Sequence, residues 1–363
     1  MSKIVAFFKK PFIRKYANYI VILLVALAFG ALSMTNNLKM GNQFLLEQIA
    51  IAALLAVSLG MVVGFLGELS LGHAGFMCVG AYVGGKIAAI LAPLLGGESN
   101  ILALVVALLA GGVVAALFGF IIGLPALRLR GDYLAIVTLA FGEIVRSVVM
   151  NLPAGLFGGT LGLETPRFKR QYLFIIAFLM LIACLAVTQN LMRSKHGRAI
   201  VAIKDNEIAA RAMGVDVTKY KLFVFTVSSF FAGVAGVLYS YTQARVQTST
   251  FSYNYSIEIL VMVVLGGMGS INGSMLAAAL ITFLNVKLQS ILTGNLAVLQ
   301  KVIYALVLIA IVIYRNAPGL KSFREKYNMN TLGVWLKKRF GKKSAEVAVT
   351  APEAEQEVSS DEQ

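Results

Sequence analysis

The sequence is divided into a series of long apolar segments, each long enough to cross a lipid bilayer as a helix. Hydrophobic residues make up 58% of the 363 residues and charged residues only 13%, which is about half the charged share of a soluble domain. About 20 apolar residues cross the hydrocarbon core as an α-helix, which satisfies its backbone polar groups internally. The sequence therefore predicts an all-α fold, a polytopic transmembrane helical bundle.

The apolar runs predict about ten crossings, including short or broken helices. Seven are expected at about 16–32, 44–66, 69–91, 101–124, 133–150, 172–191 and 222–243. Three more fit between 257 and 314, if the first is short and broken at Gly266–Ser270. Together these segments define a transmembrane domain from 16 to 315, which lies between a basic N-terminus at 1–15 and a tail at 316–363.

The net charge of +15 comes from basic residues at the ends of apolar runs. This arrangement indicates membrane topology, since lysine and arginine are enriched in cytoplasmic loops, and it does not indicate nucleic-acid binding. Both termini are therefore expected in the cytoplasm. The end of the tail is acidic and poor in large apolar residues, so we expect it to be disordered.

Two glycine-rich stretches interrupt the pattern of spans, Gly64–Gly85 and Leu265–Ala279. Each follows the tripeptide Met-Val-Val, which hints at two related halves of the kind found in many transporters. Two interpretations stay open, namely close helix packing through small residues and broken helices whose free backbone groups line a cavity. The spacing that favours close packing occurs at Gly60/Gly64, Gly80/Gly84, Gly119/Gly123 and Gly269/Gly273.

Four polar side chains stand out inside apolar segments, and they are Glu68, Ser70, His73 and Glu143. Polar groups are costly in lipid, so they are expected to face a cavity or a partner group. We interpret all four as possible lining of a translocation pathway. For Glu143, a simple ion pair with Arg146 one helical turn later is the alternative.

The one long polar interruption is the basic loop from 190 to 221, which is expected in the cytoplasm. Asp205 or Asn206 can cap a helix there, and Glu207 then lies in its first turn, where the helix dipole favours a negative charge. Gly214 can end that helix, and Thr218 can cap the next one. The loop is thus predicted to hold a short amphipathic helix between two spans.

Enzymatic chemistry is not indicated. The stretch Gly80–Lys86 matches the first positions of a P-loop, but Ile87 stands where Ser or Thr would hold magnesium, and no strand is expected before it. The chain therefore carries no predicted ATPase, metal site or cofactor. Cys78 and Cys184 lie in separate apolar runs and are expected to be packing residues.

The tetrapeptide Glu207-Ile208-Ala209-Ala210, followed by Gly214, resembles the EAA loop of ABC importer permeases. Over 43–315 the chain resembles the LivM-type permeases of branched-chain amino-acid ABC importers. Four blocks carry this resemblance: LGELSLGHAGFMCVGAY, GDYLAIVTLAFGEIVR, GRAIVAIKDNEIAARAMGVDVTKYKLFVFTVSSFFAGVAGVLYSY and ILVMVVLGGMGSINGSMLAAAL.

The resemblance implies an importer of leucine, isoleucine or valine in a bacterial inner membrane. It also implies partners, namely a second permease of the LivH type, two cytoplasmic ABC ATPases and a periplasmic binding protein. Glu207, Ala209, Ala210 and Gly214 would form the coupling helix, with the three small residues on the face that docks on the ATPase. Urea, amides or other small amino acids are alternative substrates. The competing class is an ion-coupled secondary transporter built around Glu68 and Glu143.

Overall fold

The computed structural model describes residues 40–95, 100–129, 131–243, 245–291, 302–306, 309 and 313. The crossing expected at 16–32, most of the chain after 291 and the acidic tail lie outside these residues. The chain separates into two units, Met1–Tyr304 and Ala305–Gln363. The described residues of the second unit, 305, 306, 309 and 313, are helical.

The described part of the first unit is built of helices and one short strand pair. The helices are α1 (Met40–Gly60), α2 (His73–Leu94), α3 (Ile101–Ala126), α4 (Asp132–Asn151), α5 (Ala154–Phe157), α6 (Arg170–Arg193), α7 (Lys195–Asp205), α8 (Glu207–Ala212), α9 (Val217–Thr242), α10 (Tyr253–Gly266) and α11 (Ile271–Ile291). A π-helical turn at Met61–Leu66 extends α1, and 3-10 turns lie at Gly159–Leu161 and Thr248–Phe251. The strands β1 (Leu163–Glu164) and β2 (Arg245–Val246) pair antiparallel, with Leu163 opposite Val246.

Within the described residues, seven helices are long and apolar enough to cross a membrane, and α10 is a shorter apolar helix. The predicted all-α membrane fold is confirmed. The expected short helix broken at Gly266 is present as α10. With the segments that lie outside the described residues, these helices are roughly consistent with the expected ten crossings.

Helix α9 lies at the centre of the bundle, packed against α2 and α3, which also pack against each other. Glycines allow these backbones to approach closely. A Cβ at Gly80 in α2 would overlap the backbone of Gly233 in α9, and a Cβ at Gly236 would overlap the carbonyl oxygen of Met77. The close packing predicted from glycine spacing is confirmed for this part of the bundle.

One of the predicted packing glycines does not fit that interpretation. Gly60 has no atom within 4 Å of the position that a Cβ would occupy. Its predicted partner in the spacing, Gly64, is tightly packed, since a Cβ there would lie 2.6 Å from the backbone nitrogen of Gly269. Of these two glycines, only Gly64 serves close packing.

The two glycine-rich stretches both break helices, and the breaks meet. After the π-helical turn, Gly67 takes a φ of +80°, and the chain runs without helix to Gly72. Between α10 and α11, Gly267 and Gly269 take φ values of +98° and +87°. Glycine reaches this left-handed region without steric cost. The close packing and the broken helices therefore occur together at Gly64, and the lining of a cavity by the breaks stays a prediction.

We predict that Gly236→Ala lowers the free energy of unfolding by about 1–3 kcal/mol, because the added methyl group must displace the backbone of α2. Thermal unfolding of the purified chain in detergent measures this. Gly60→Ala is the matched control, since Gly60 has helical backbone angles and open space around it. Equal melting temperatures for Gly236→Ala and the unsubstituted chain would contradict the packing described.

Candidate functional site

Local capping explains how the polar loop folds between α6 and α9. The side chain of Ser194 accepts from the backbone of His196 and Gly197 and starts α7. Asn206 Oδ1 accepts from Ala209 N at 3.0 Å and starts α8, as the sequence predicts, and Glu207 occupies the first turn. Gly214, with a φ of +82°, follows the end of α8.

The predicted cap at Thr218 is wrong. The side chain of Asp216 accepts from Lys219 N at 3.1 Å, and α9 begins at Val217. A carboxylate at this position satisfies a free backbone N–H and suits the helix dipole, so it starts the helix two residues earlier. Thr218 consequently lies inside the first turn. Only a few residues separate α8 from α9.

The exposed face of α8 differs from the expected face of small residues. Ile208 and Met213 are 76% and 84% exposed, and Ala209 and Gly214 are exposed beside them. Ala210 is only 5% exposed and packs within the chain, because it lies on the side of α8 that faces α7 and α9. The surface that a partner could contact is therefore formed by Ile208, Ala209, Met213 and Gly214, without Ala210.

Lys221, in the first turns of α9, joins two residues that the sequence suggested for separate roles. Its Nζ contacts Glu68 Oε1 and lies 3.0 Å from Glu207 Oε2. The exposed fractions of the three side chains are 4% for Lys221, 13% for Glu68 and 24% for Glu207. We call these three residues the coupling cluster, after the coupling helix that the sequence of α8 resembles. Glu207 also pairs with Arg211 at 2.9 Å along α8.

A second lysine connects the polar loop to the same helix break. Lys204 Nζ, at the end of α7, donates to the carbonyl oxygen of Gly64 at 2.7 Å. Its aliphatic stem also covers Gly67, where an added Cβ would lie 2.9 Å from Lys204 Cγ. The break between α1 and α2 is thus held from one side by α7 and from another by α8 and α9.

His73 and Ser70 do not share the coupling cluster. His73 Nε2 lies 2.8 Å from Ser58 Oγ, and Ser58 Oγ donates to Leu55 O at 2.9 Å. Both polar side chains are buried in the bundle, so the imidazole has a packed hydrogen-bond partner. Ser70 Oγ is buried and makes no hydrogen bond to the residues that the structure describes.

Glu143 holds the beginning of α10. It pairs with Arg146 at 2.7 Å, and its Oε1 accepts from Tyr253 N at 2.9 Å. The N-cap residue Ser252 provides no side-chain cap, so Glu143 supplies the missing acceptor from another helix. The structure therefore brings Glu68 and Glu207 together and places Glu143 at a different contact.

Two candidate functional residues, Lys221 and Glu258, were not identified from the sequence. Lys221 looks like one more basic residue of a cytoplasmic loop, and its burial depends on tertiary packing. Glu258 lies in α10 and accepts from Asn285 Nδ2 at 3.2 Å and from the Tyr304 hydroxyl at 2.9 Å. A lone acid within the run Ser256–Val264 was a detectable signal, because ionisable residues in apolar segments are rare and usually functional.

Comparison with known proteins agrees with the resemblance of the four sequence blocks. Residues 41–312 match the family described as branched-chain amino acid transport system / permease component. The high-affinity branched-chain amino acid transport system permease proteins LivM of Escherichia coli strain K12 and Salmonella typhimurium strain LT2 are 35% and 34% identical over 289 residues. These alignments cover 71% of this chain and 66% of each relative.

The ribose import permease protein RbsC of Escherichia coli strain K12 is 28% identical over 327 residues, which cover 85% of this chain and 96% of that protein. No solved structure matches the chain. The chain spans just under two thirds of the length of the two LivM relatives. The family match covers most of the helical bundle, including both helix breaks, the coupling cluster and α8. The chain belongs to the branched-chain amino acid transport permease family.

Proposed function

We propose that this chain is the non-catalytic, membrane-spanning permease subunit of an ATP-driven importer for leucine, isoleucine and valine. In this proposal a second permease of the LivH type completes the pathway, and two cytoplasmic ABC ATPases drive it. A periplasmic binding protein delivers the substrate. The assembly lies in a bacterial inner membrane, and both termini of this chain are cytoplasmic.

The family and the LivM relatives support the substrate class, since both relatives are named as permeases of high-affinity branched-chain amino acid transport systems. The observation that carries the mechanism is the coupling cluster. It connects α8, which resembles the coupling helix of ABC importers, to the first helix break through one buried lysine. A chain that only passed solute through a static pore would not need this connection.

The connection suggests how a movement of the ATPases reaches the membrane. A displacement of α8 passes to α9 through the short segment after Gly214 and through the pair of Glu207 with Lys221. The pair of Lys221 with Glu68 and the hydrogen bond from Lys204 to Gly64 O pass it to the helix break. A break with few internal hydrogen bonds deforms more easily than a continuous helix, so it is suited to respond.

The ion-coupled alternative is less well supported. Such a carrier needs carboxylates that bind and release an ion or a proton. Glu68 is paired with Lys221, and Glu143 is paired with Arg146 and accepts from the first turn of α10. Both carboxylates therefore hold parts of the chain together, which favours a structural role over the binding and release of an ion.

We expect this chain to purify as part of a complex with other subunits. Purification of this chain from its native membrane in mild detergent should also recover a second permease and P-loop ATPase subunits, identified by mass spectrometry. In proteoliposomes the complex should accumulate leucine only when ATP is present. A preparation of this chain alone that transports leucine without ATP would contradict the proposal and favour an ion-coupled carrier.

Ile208→Glu should strongly reduce the amount of ATPase recovered with the complex. Ile208 is 76% exposed on α8, and a charge there would have to be desolvated in an apolar docking surface. Leu161→Glu is the matched control, because Leu161 is also an exposed apolar residue, at 69%, outside the polar loop. Equal recovery of ATPase with both variants would show that α8 is not the docking element.

Lys221→Met should lower the free energy of unfolding by about 3–5 kcal/mol, because it leaves the carboxylates of Glu68 and Glu207 without their buried cation. Adding Glu68→Gln and Glu207→Gln to Lys221→Met removes the two carboxylate charges that Lys221 contacted and should restore much of that stability. Lys219→Met is the control, since Lys219 is an exposed lysine on the same helix. Denaturant unfolding in detergent measures all of these variants.

Transport separates a coupling role for Lys221 from a purely stabilising one. The variant that combines Lys221→Met with the two glutamine substitutions should bind ATPase normally and hydrolyse ATP, but it should import little leucine. Full import by this stabilised variant would contradict the proposed path from α8 to the helix break.

A further inference from the structure

A polar cleft lies at the other end of the bundle from the coupling cluster. It has a volume of about 400 Å³, which falls within the usual range for small-molecule sites. Residues of α1, α9, α10 and α11 line it, and Glu258 of α10 is among them. Along α1 and its π-helical turn, Gln48 in the cleft is about 24 Å from Gly64 at the helix break, given the rise of a helix per residue.

The lining divides into a polar part and an apolar part. The polar part provides amide and hydroxyl groups from Gln48, Gln243, Thr250, Tyr255, Thr282, Asn285 and Gln289. The apolar part is formed by Phe44, Ala52, Met262 and Val286. A ligand that fits both parts has a polar end and a compact aliphatic end.

Glu258 is the one carboxylate among the described residues that line the cleft. It is half-buried, and its Oε1 accepts hydrogen bonds from Asn285 Nδ2 and the Tyr304 hydroxyl. Both donors are neutral, and none of the described residues that line the cleft is a lysine or an arginine. An anionic carboxylate in a membrane segment is stabilised by a cation, and the described side chains that line the cleft supply none.

We propose that the cleft around Glu258 is a binding site for an amino acid in transit, with Glu258 receiving its ammonium group. The amide and hydroxyl groups bind the α-carboxylate, and the apolar part of the cleft contacts the aliphatic side chain. This inference rests on the proposed import of branched-chain amino acids and names the group of the substrate that the permease itself recognises. A sugar lacks an ammonium group, so the charge of Glu258 favours an amino acid as cargo.

The test uses the complete transporter in proteoliposomes with radiolabelled leucine. Glu258→Gln keeps the size of the side chain and removes its charge, and it should lower leucine uptake about tenfold or more, as expected for loss of one charge-assisted hydrogen bond. Glu258→Asp keeps the charge and should recover most of the uptake.

Glu164→Gln is the matched control, since Glu164 is an exposed carboxylate paired with Arg245 in the strand pair. It should import leucine like the unsubstituted chain.

A second measurement does not alter Glu258. Gln289→Cys places a thiol on an exposed position of the cleft, and leucine should slow its reaction with a fluorescent maleimide. The analogue 4-methylpentanoate, which lacks the ammonium group, should not slow it.

The outcomes distinguish this site from the function on which it rests. If the unsubstituted complex does not import leucine, the proposed function fails and the site fails with it. If it imports leucine but Glu258→Gln imports equally well, the site is overturned while the importer stands. Equal labelling of Gln289→Cys with and without leucine would overturn the site in the same way.

Discussion

A broken helix in a membrane leaves backbone groups that no water can satisfy, so the protein itself must enclose them. In the structure the two breaks lie against each other. Gly64 lies beside Gly269, and a side chain at Gly64 would collide with the backbone of the second break. Lys204 donates to the Gly64 carbonyl, one of the groups near the π-helical turn. Helices α7 and α9 pack against the π-helical turn, and α9 in turn packs closely against α2 and α3.

The same constraint explains why α8 has a fixed position. An isolated helix of six residues is not stable in water, so tertiary contacts must hold it. The chain that leaves the first break carries Glu68, and the charge of this carboxylate requires a partner. Lys221 satisfies Glu68 and Glu207 together, which ties α8 to the break. A buried ion pair adds little net stability, but it is costly to separate, so it is suited to keeping two elements in register.

Hydropathy predicted most of the bundle, because each span has to be apolar and has to satisfy its backbone hydrogen bonds within its own helix. Helix caps such as Asn206 were also predictable, because their hydrogen-bond partners are close in the sequence. The exception is the cap of α9, which is Asp216 and not the predicted Thr218. The site was less predictable. Glu68 and Glu207 could be chosen singly from their polarity, but their shared contact with Lys221 joins positions 153 and 14 residues apart. Only tertiary packing determines such a contact.

Two helices connect the two regions of interest. Helix α1 runs from the cleft near Gln48 to the first break, and α11 begins after the second break and reaches the cleft at Asn285. These helices pack along each other, so a change at the breaks shifts both walls of the cleft together. In the mechanism that we propose, a small displacement of α8 reaches the breaks and from there changes the shape of the cleft. In that mechanism the broken segments are the joint between the contact of α8 with the ATPases and the polar cleft at the other end of the bundle.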